Sequence, residues 1–84
     1  MTIRILLFGA CREAACGTGD GELRLDLAAP ATVEAAWRAL CEQFPPLHHF
    51  ASNVLFAINE SYARRIDPLA DGDTLAIFPP VSGG

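Results

Sequence analysis

The sequence contains no lysine, and all six of its basic residues are arginines. They are spread along the chain apart from the adjacent pair Arg64 and Arg65, and the formal net charge is −4. Nucleic-acid binding needs a concentrated basic surface, so this composition argues against it, whereas an acidic protein suits a basic protein partner. Without lysine the chain cannot accept an isopeptide bond on a side chain, although it can still donate its C-terminus.

Long apolar runs are also missing. No stretch approaches the roughly 18 residues that span a bilayer, and residues 1–4 lack the charged segment, apolar stretch and cleavage site of a signal peptide. The 84 residues are 51% hydrophobic, which is ample for one small core. We therefore expect a cytoplasmic protein with no membrane contact, with a domain over residues 1–78 and an extended tail over residues 79–84.

The three cysteines, Cys11, Cys16 and Cys41, are odd in number and form no Cys-x-x-Cys pair. The adjacent His48 and His49 follow a proline pair and do not match a metal-ligand pattern. The sequence thus predicts reduced, structural thiols and no metal site. No histidine, serine or cysteine has a recognisable nucleophile or base arrangement, so we expect no catalysis by the chain alone.

Hydrophobic periodicity predicts one helix and five strands. Thr32 is a good N-cap, and residues 33, 36, 37, 40, 41 and 44 form one apolar stripe that ends before Pro45 and Pro46. A short helical turn is expected over residues 12–15, and a chain break at residues 68–69. Alternating residues predict strands at residues 2–8, 22–27, 54–58, 62–64 and 74–78. The order β-β-α-β-β-β predicts an α+β roll with a helix across a mixed sheet.

An apolar patch is expected on the sheet face away from this helix. If the first and last strands are neighbours, Leu6, Phe8 and Phe78 share that face. Such a face is commonly polar, because it is solvated. Two interpretations stay open: the patch binds a partner, or loops cover it.

The sequence ends with Pro79-Pro80-Val81-Ser82-Gly83-Gly84. A frayed terminus would explain the glycines and the serine. The proline pair favours a stiff, extended segment, and residues without Cβ atoms can enter a narrow slot. The tail is therefore interpreted as the functional end of the protein.

Four runs carry a resemblance to a known family: FGACRE at residues 8–13, AIN at 57–59, PLADGD at 68–73 and AIFPPVSGG at 76–84. In this order they resemble the ubiquitin-like β-grasp proteins, and more closely the small, sulfur-carrying subunits of molybdopterin synthase. The resemblance spans essentially the whole chain. It implies a β-grasp roll with a mixed five-stranded sheet, one main helix and a flexible Gly-Gly tail.

The resemblance also implies a chemical cycle at the tail. Gly84 would be adenylated by a ubiquitin-activating-enzyme-like adenylyltransferase that uses ATP and magnesium, and a sulfur donor would convert it to a thiocarboxylate. The tail would then enter the large subunit and give its sulfur to cyclic pyranopterin monophosphate. Two small and two large subunits would form a heterotetramer, with catalytic groups on the large ones and no cofactor stably bound here. By the same resemblance, Gly83 would allow Gly84 to reach the acceptor. The residues that would line the insertion channel are Pro79, Pro80, Val81 and Ser82. The residues that would contact the partner are Phe8, Arg12, Tyr62 and Phe78.

Three alternatives share the Gly-Gly end. The chain could carry sulfur for thiamine, cysteine or tRNA thiolation, it could modify proteins through an amide bond at Gly84, or it could dock without covalent chemistry. Residues 8–13 and the proline pair favour molybdopterin. The lack of lysine departs from common family members and removes any lysine-based contact with partners.

Overall fold

The structure, a computed structural model, describes residues 1–15 and 21–79. Cys16 and the predicted tail residues Pro80, Val81, Ser82, Gly83 and Gly84 lie outside the described residues. The elements are, in chain order, β1 (Thr2–Leu7), α1 (Gly9–Ala14), β2 (Glu22–Asp26), β3 (Ala31–Thr32), α2 (Val33–Gln43), a 3₁₀ helix (Pro45–Phe50), β4 (Leu55–Ile58), β5 (Ser61–Ala63), β6 (Pro68–Leu69) and β7 (Thr74–Phe78).

Five of the strands form one mixed sheet in the order β2-β1-β7-β4-β5. The first and last strands, β1 and β7, lie parallel at its centre, with Ile5 opposite Leu75 and Leu7 opposite Ile77. The other pairs in this sheet are antiparallel. The predicted mixed five-stranded sheet with one main helix is confirmed. The first and last strands are neighbours, which was the condition for the apolar patch on the face away from the helix.

Alternation along the central strands places their large aliphatic side chains on one face. Ile3, Ile5, Leu75 and Ile77 are fully buried there. The apolar stripe of α2 is buried in the same cluster, and the Trp37 ring meets the Phe56 ring edge to face at 5.8 Å between centroids. Each such aliphatic side chain contributes about 1.5–3 kcal/mol when taken from water, so this layer supplies most of the driving force for folding.

Helix α2 begins and ends as the sequence predicts. The Thr32 hydroxyl accepts a hydrogen bond from the Ala35 amide at 3.3 Å, and the helix ends at Gln43. The predicted stripe is buried except for Phe44, which is half-buried. The proline pair that ends α2 occupies the first turn of the 3₁₀ helix, where missing N–H groups cost little.

Several local predictions were wrong in detail, among them one end each of β1, β2 and β4, which lies one residue from the predicted position. Helix α1 begins at Gly9, directly after β1, and not at Arg12. The predicted break at Pro68 and Leu69 is strand β6, which pairs with β3 in a second, two-stranded sheet. Proline is compatible with this strand because a two-stranded sheet has free edges where no N–H is required. Strand β5 begins one residue early, at Ser61, because a two-residue turn pairs Ser61 with Ile58.

The two described cysteines, Cys11 and Cys41, are buried and free. Burial raises the pKa of Cys11 to about 11 and also raises the pKa of Cys41. Both thiols are therefore protonated and inert near neutral pH, as predicted for structural cysteines. Within residues 1–15 and 21–79, no helix is long and apolar enough to cross a membrane.

Arg65 joins three parts of the fold. One guanidinium nitrogen lies 2.7 Å from Glu34 Oε1 in the first turn of α2, and the other donates to the Ala51 carbonyl before β4. The guanidinium also lies 5.4 Å from the centre of the Phe56 ring. The hydrogen bond from Arg65, helped by one from Arg38, holds the pKa of Glu34 below its ordinary value. Glu34 therefore stabilises the fold when it is ionised.

We expect Glu34→Gln to reduce the free energy of unfolding at pH 7 by about 0.5–1 kcal/mol, as for a partly exposed ion pair. Because the folded pKa is depressed, the contribution of Glu34 is present above its unfolded pKa and is lost as pH falls through the folded pKa. Urea unfolding at stepwise lower pH should therefore show that the free energies of unfolding of the wild-type chain and of Glu34→Gln converge. Glu42→Gln, at an exposed position on the same helix, is the control. A difference that stays constant with pH would contradict the assignment.

Candidate partner-binding site

The candidate site is the sheet face turned away from α2, here called the outer face. One row of residues crosses this face from strand to strand. Leu6 pairs with Ala76, Ala76 pairs with Ala57, and Ala57 pairs with Tyr62. The two alanines have short side chains between two long ones, so the middle of the face is hollow. The result is an open concavity of about 630 Å³. Its lining residues are Arg4, Leu6, Phe8, Ala57, Asn59, Glu60, Tyr62, Thr74, Ala76 and Phe78.

One end of the outer face is aromatic. The Phe8 and Phe78 rings are stacked with centroids 4.7 Å apart and planes 8° from parallel. Phe8 is 41% exposed, Leu55 opposite Phe78 is 44% exposed, and Tyr62 is 85% exposed. Exposed fractions this large show that the described loops do not cover the patch. Of the two interpretations left open by the sequence, partner binding is the one consistent with this exposure.

The other end of the outer face is polar, and most of its groups are used within the fold. Arg4 Nε lies 2.5 Å from Glu22 Oε1. The Asn59 side chain donates to Asp73 Oδ1 and accepts from the Thr74 amide, both at 2.9 Å. These bonds fix the β4–β5 turn against the start of β7. They also occupy the Asp73 carboxylate.

The root of the tail, Phe78 and Pro79, lies at the aromatic end. The Phe8 amide donates to the Ile77 carbonyl at 3.1 Å, which continues the β1–β7 pairing one residue past the end of β1. Gly9 follows with φ +54°, and a Cβ placed there would lie 3.0 Å from Pro79 Cγ. A glycine thus allows Pro79 to lie against the start of α1. The chain therefore leaves the sheet beside Phe8 and Phe78.

The predicted site residues are only partly brought together. Phe8, Tyr62 and Phe78 all line the concavity, and Pro79 adjoins it. Arg12 lies on α1 outside this lining, with its Cδ 3.0 Å from where a Cβ on Gly21 would be. The sequence analysis missed Ala57 and Gly9. Alternation along β4 places Ala57 on the face opposite to that of the buried Phe56, so the sequence could have assigned Ala57 to the outer face. Nothing in the sequence near Gly9 indicated its contact with Pro79.

The close approach of Gly9 and Pro79 predicts the effect of Gly9→Ala. Alanine at a positive φ costs about 1–2 kcal/mol, and here the methyl group also displaces Pro79. Gly72→Ala is the matched control, because Gly72 has φ +87° and nothing within 4 Å of its Cβ position. We expect Gly9→Ala to lower the free energy of unfolding by roughly 1 kcal/mol more than the control does, measured by urea denaturation.

The variant Gly9→Ala/Pro79→Ala tests the cause of this difference. Alanine at position 79 lacks the ring carbons that the new methyl group meets, so the extra loss should disappear. Equal costs for Gly9→Ala and Gly72→Ala would show that Pro79 does not press on this position.

Comparison with known proteins gives consistent results. The model of the ThiS family matches residues 5–84. The chain is 37% identical to the molybdopterin synthase sulfur carrier subunit of Arabidopsis thaliana, over 98% of this chain and 82% of that protein. It is 36% identical to the protein of that name from Chlamydomonas reinhardtii, over the full length of both.

Among solved structures, SAMP1 of Haloferax volcanii is 33% identical, with a TM-score of 0.83 and full coverage of both chains. Another crystal structure from that organism gives the name in full as small archaeal modifier protein 1. With the sheet order described above, this similarity confirms the predicted ubiquitin-like β-grasp fold.

Proposed function

The chain belongs to the ThiS family, and we propose that it is the sulfur carrier subunit of a molybdopterin synthase. The observation that carries this proposal is the similarity, over nearly the whole chain, to proteins that bear this name. The exposed outer face beside the tail root supports it, because a carrier subunit has to dock on a larger partner. The alternative carriers, for thiamine, cysteine or tRNA thiolation, would use the same tail with a different acceptor.

The proposed chemistry takes place at Gly84. Its carboxylate attacks the α-phosphate of ATP, with magnesium held by the activating enzyme, and releases pyrophosphate to give an acyl-adenylate. A persulfide sulfur then displaces AMP, and a thiol reduces the resulting acyl disulfide to the thiocarboxylate. Adenylation is needed because a carboxylate is a poor electrophile. The thiocarboxylate then gives its sulfur to cyclic pyranopterin monophosphate.

The described thiols offer no competing route for sulfur. Cys11 and Cys41 are buried, and burial raises the pKa of each thiol. A protonated, inaccessible thiol is a poor nucleophile for a persulfide. The sulfur is therefore assigned to the tail, and the groups that catalyse its release are assigned to the large subunit.

The outer face is assigned to docking on that large subunit. The stacked Phe8 and Phe78 rings lie next to Pro79, so a partner bound over them would receive the tail at the edge of the interface. Exposed aromatic side chains that become buried in an interface commonly carry much of the binding free energy. Pro80, Val81, Ser82 and Gly83 would line the path by which Gly84 reaches the acceptor.

The assignment of Gly84 predicts that one alanine added after it abolishes molybdopterin formation. One residue displaces the reacting carboxylate by about 3.5 Å. The last residue of the described core is Ile77, so the melting temperature should stay unchanged. The assay supplies the large subunit, activating enzyme, ATP, sulfur donor and cyclic pyranopterin monophosphate. Removal of the added alanine with a carboxypeptidase should restore activity. Full activity of the untrimmed protein would contradict the mechanism.

The assignment of the outer face predicts that Tyr62→Ala weakens binding to the large subunit at least tenfold. Tyr62 is 85% exposed in the free chain, so this change should hardly affect the free energy of unfolding. Ile66→Ala is the matched control, because Ile66 is 70% exposed but does not line the concavity. Isothermal titration calorimetry measures both affinities. Equal losses for the two variants would remove the assignment of this face.

A second candidate function is protein modification, favoured by the similarity to SAMP1. Gly84 would then end in an amide bond to a lysine of a target protein. Intact-mass measurement after incubation with the activating enzyme, ATP and a sulfur donor separates the two. One oxygen-to-sulfur exchange at the C-terminal peptide supports the carrier. ATP-dependent covalent adducts on a denaturing gel support the modifier, and an unmodified chain in both experiments supports docking alone.

A further inference from the structure

We propose that Glu60 is a recognition residue for a basic side chain, arginine or lysine, on the large subunit. This inference rests on the proposed function and adds the chemistry of one contact to it. It starts from a conflict between the backbone conformation of Glu60 and the residue type found there.

Glu60 lies in a two-residue turn that glycine would suit better. Asn59 and Glu60 connect β4 to β5 with φ values of +47° and +73°, and Ile58 pairs with Ser61 across the turn. Hairpins of this kind prefer asparagine followed by glycine, because both central residues have positive φ. Asparagine tolerates the left-handed region, whereas a residue with a long side chain is disfavoured there.

The strain at Asn59 is compensated within the fold, and the strain at Glu60 is not. The Asn59 side chain bonds to Asp73 and to the Thr74 amide. Glu60 is exposed, and its carboxylate forms no hydrogen bond or ion pair with any described residue. The turn would therefore be more stable with glycine, so stability of the free chain does not account for glutamate at this position.

Glu60 is placed where a bound partner would meet it. It lines the concavity of the outer face together with Tyr62. The other charged residue of that lining, Arg4, is already paired with Glu22. A carboxylate that lines the same concavity as an exposed aromatic ring fits a cation with an aliphatic stem, because the stem can pack on the ring while the charged head meets the carboxylate. The net charge of −4 adds to the attraction for a basic partner.

Three substitutions at Glu60 separate the effect of its charge from the effect of its backbone conformation. Glu60→Gly removes the strain and the charge, so the melting temperature should rise while affinity for the large subunit falls about tenfold at low salt. Glu60→Gln keeps the side-chain length and the backbone conformation, so the melting temperature should stay the same while affinity falls by a similar factor. Glu60→Asp keeps the charge and should retain part of the affinity. Glu42→Gln on α2, which does not line the concavity, is the control for loss of one negative charge.

Affinity is measured by titration calorimetry over a series of salt concentrations. The difference in affinity between the wild-type chain and Glu60→Gln should become smaller as the salt concentration rises, because salt screens the ion pair that only the wild-type chain can form. A more stable Glu60→Gly variant that binds more weakly would support the proposal, because a purely structural residue cannot produce opposite changes. Binding by Glu60→Gln equal to wild type at every salt concentration would overturn the inference and leave the proposed function intact. Failure of the wild-type chain to bind any large subunit would overturn both.

Discussion

The parallel pairing of β1 with β7 is the constraint on which the rest of the structure depends. It puts the first and last strands side by side at the centre of the sheet, with Ile5 opposite Leu75 and Leu7 opposite Ile77. Those side chains form the middle of the core on one face. On the other face the same register stacks Phe8 on Phe78. A slip of one residue would reverse both faces, so folding and the candidate site share one requirement.

The two faces of the sheet differ in how they are filled. Towards α2, branched side chains interdigitate and leave no exposed apolar surface at the central strands. Away from α2, Ala57 and Ala76 leave the centre low and the neighbouring aromatic rings exposed. Filling that hollow with larger residues would make the outer face flatter and would remove the concavity that a partner's side chains could enter. The two alanines therefore contribute the concave shape of the outer face, because their own side chains add little contact area.

Local patterns in the sequence were enough for the features that depend on neighbouring residues. The helix after Thr32, its stripe through Trp37 and the alternation in β7 follow from periodicity and capping, and the resemblance over four runs gave the family. Contacts between distant segments could not be predicted in this way. The pairing of Pro68 with Thr32, the bonds from Arg65 to Glu34 and Ala51, and the contact of Pro79 with Gly9 join residues 14 to 70 positions apart.

The fold thus constrains how the tail is presented more than what the tail does. Gly9 and the stacked rings fix the direction in which Pro79 leaves the sheet, and the two described thiols are buried away from it. A sulfur carrier and a protein modifier can both use this arrangement, because both need an activated terminus beside a docking face. The choice between them has to come from which partner the outer face recognises. That makes individual contact residues on this face, rather than the fold, the features that decide specificity.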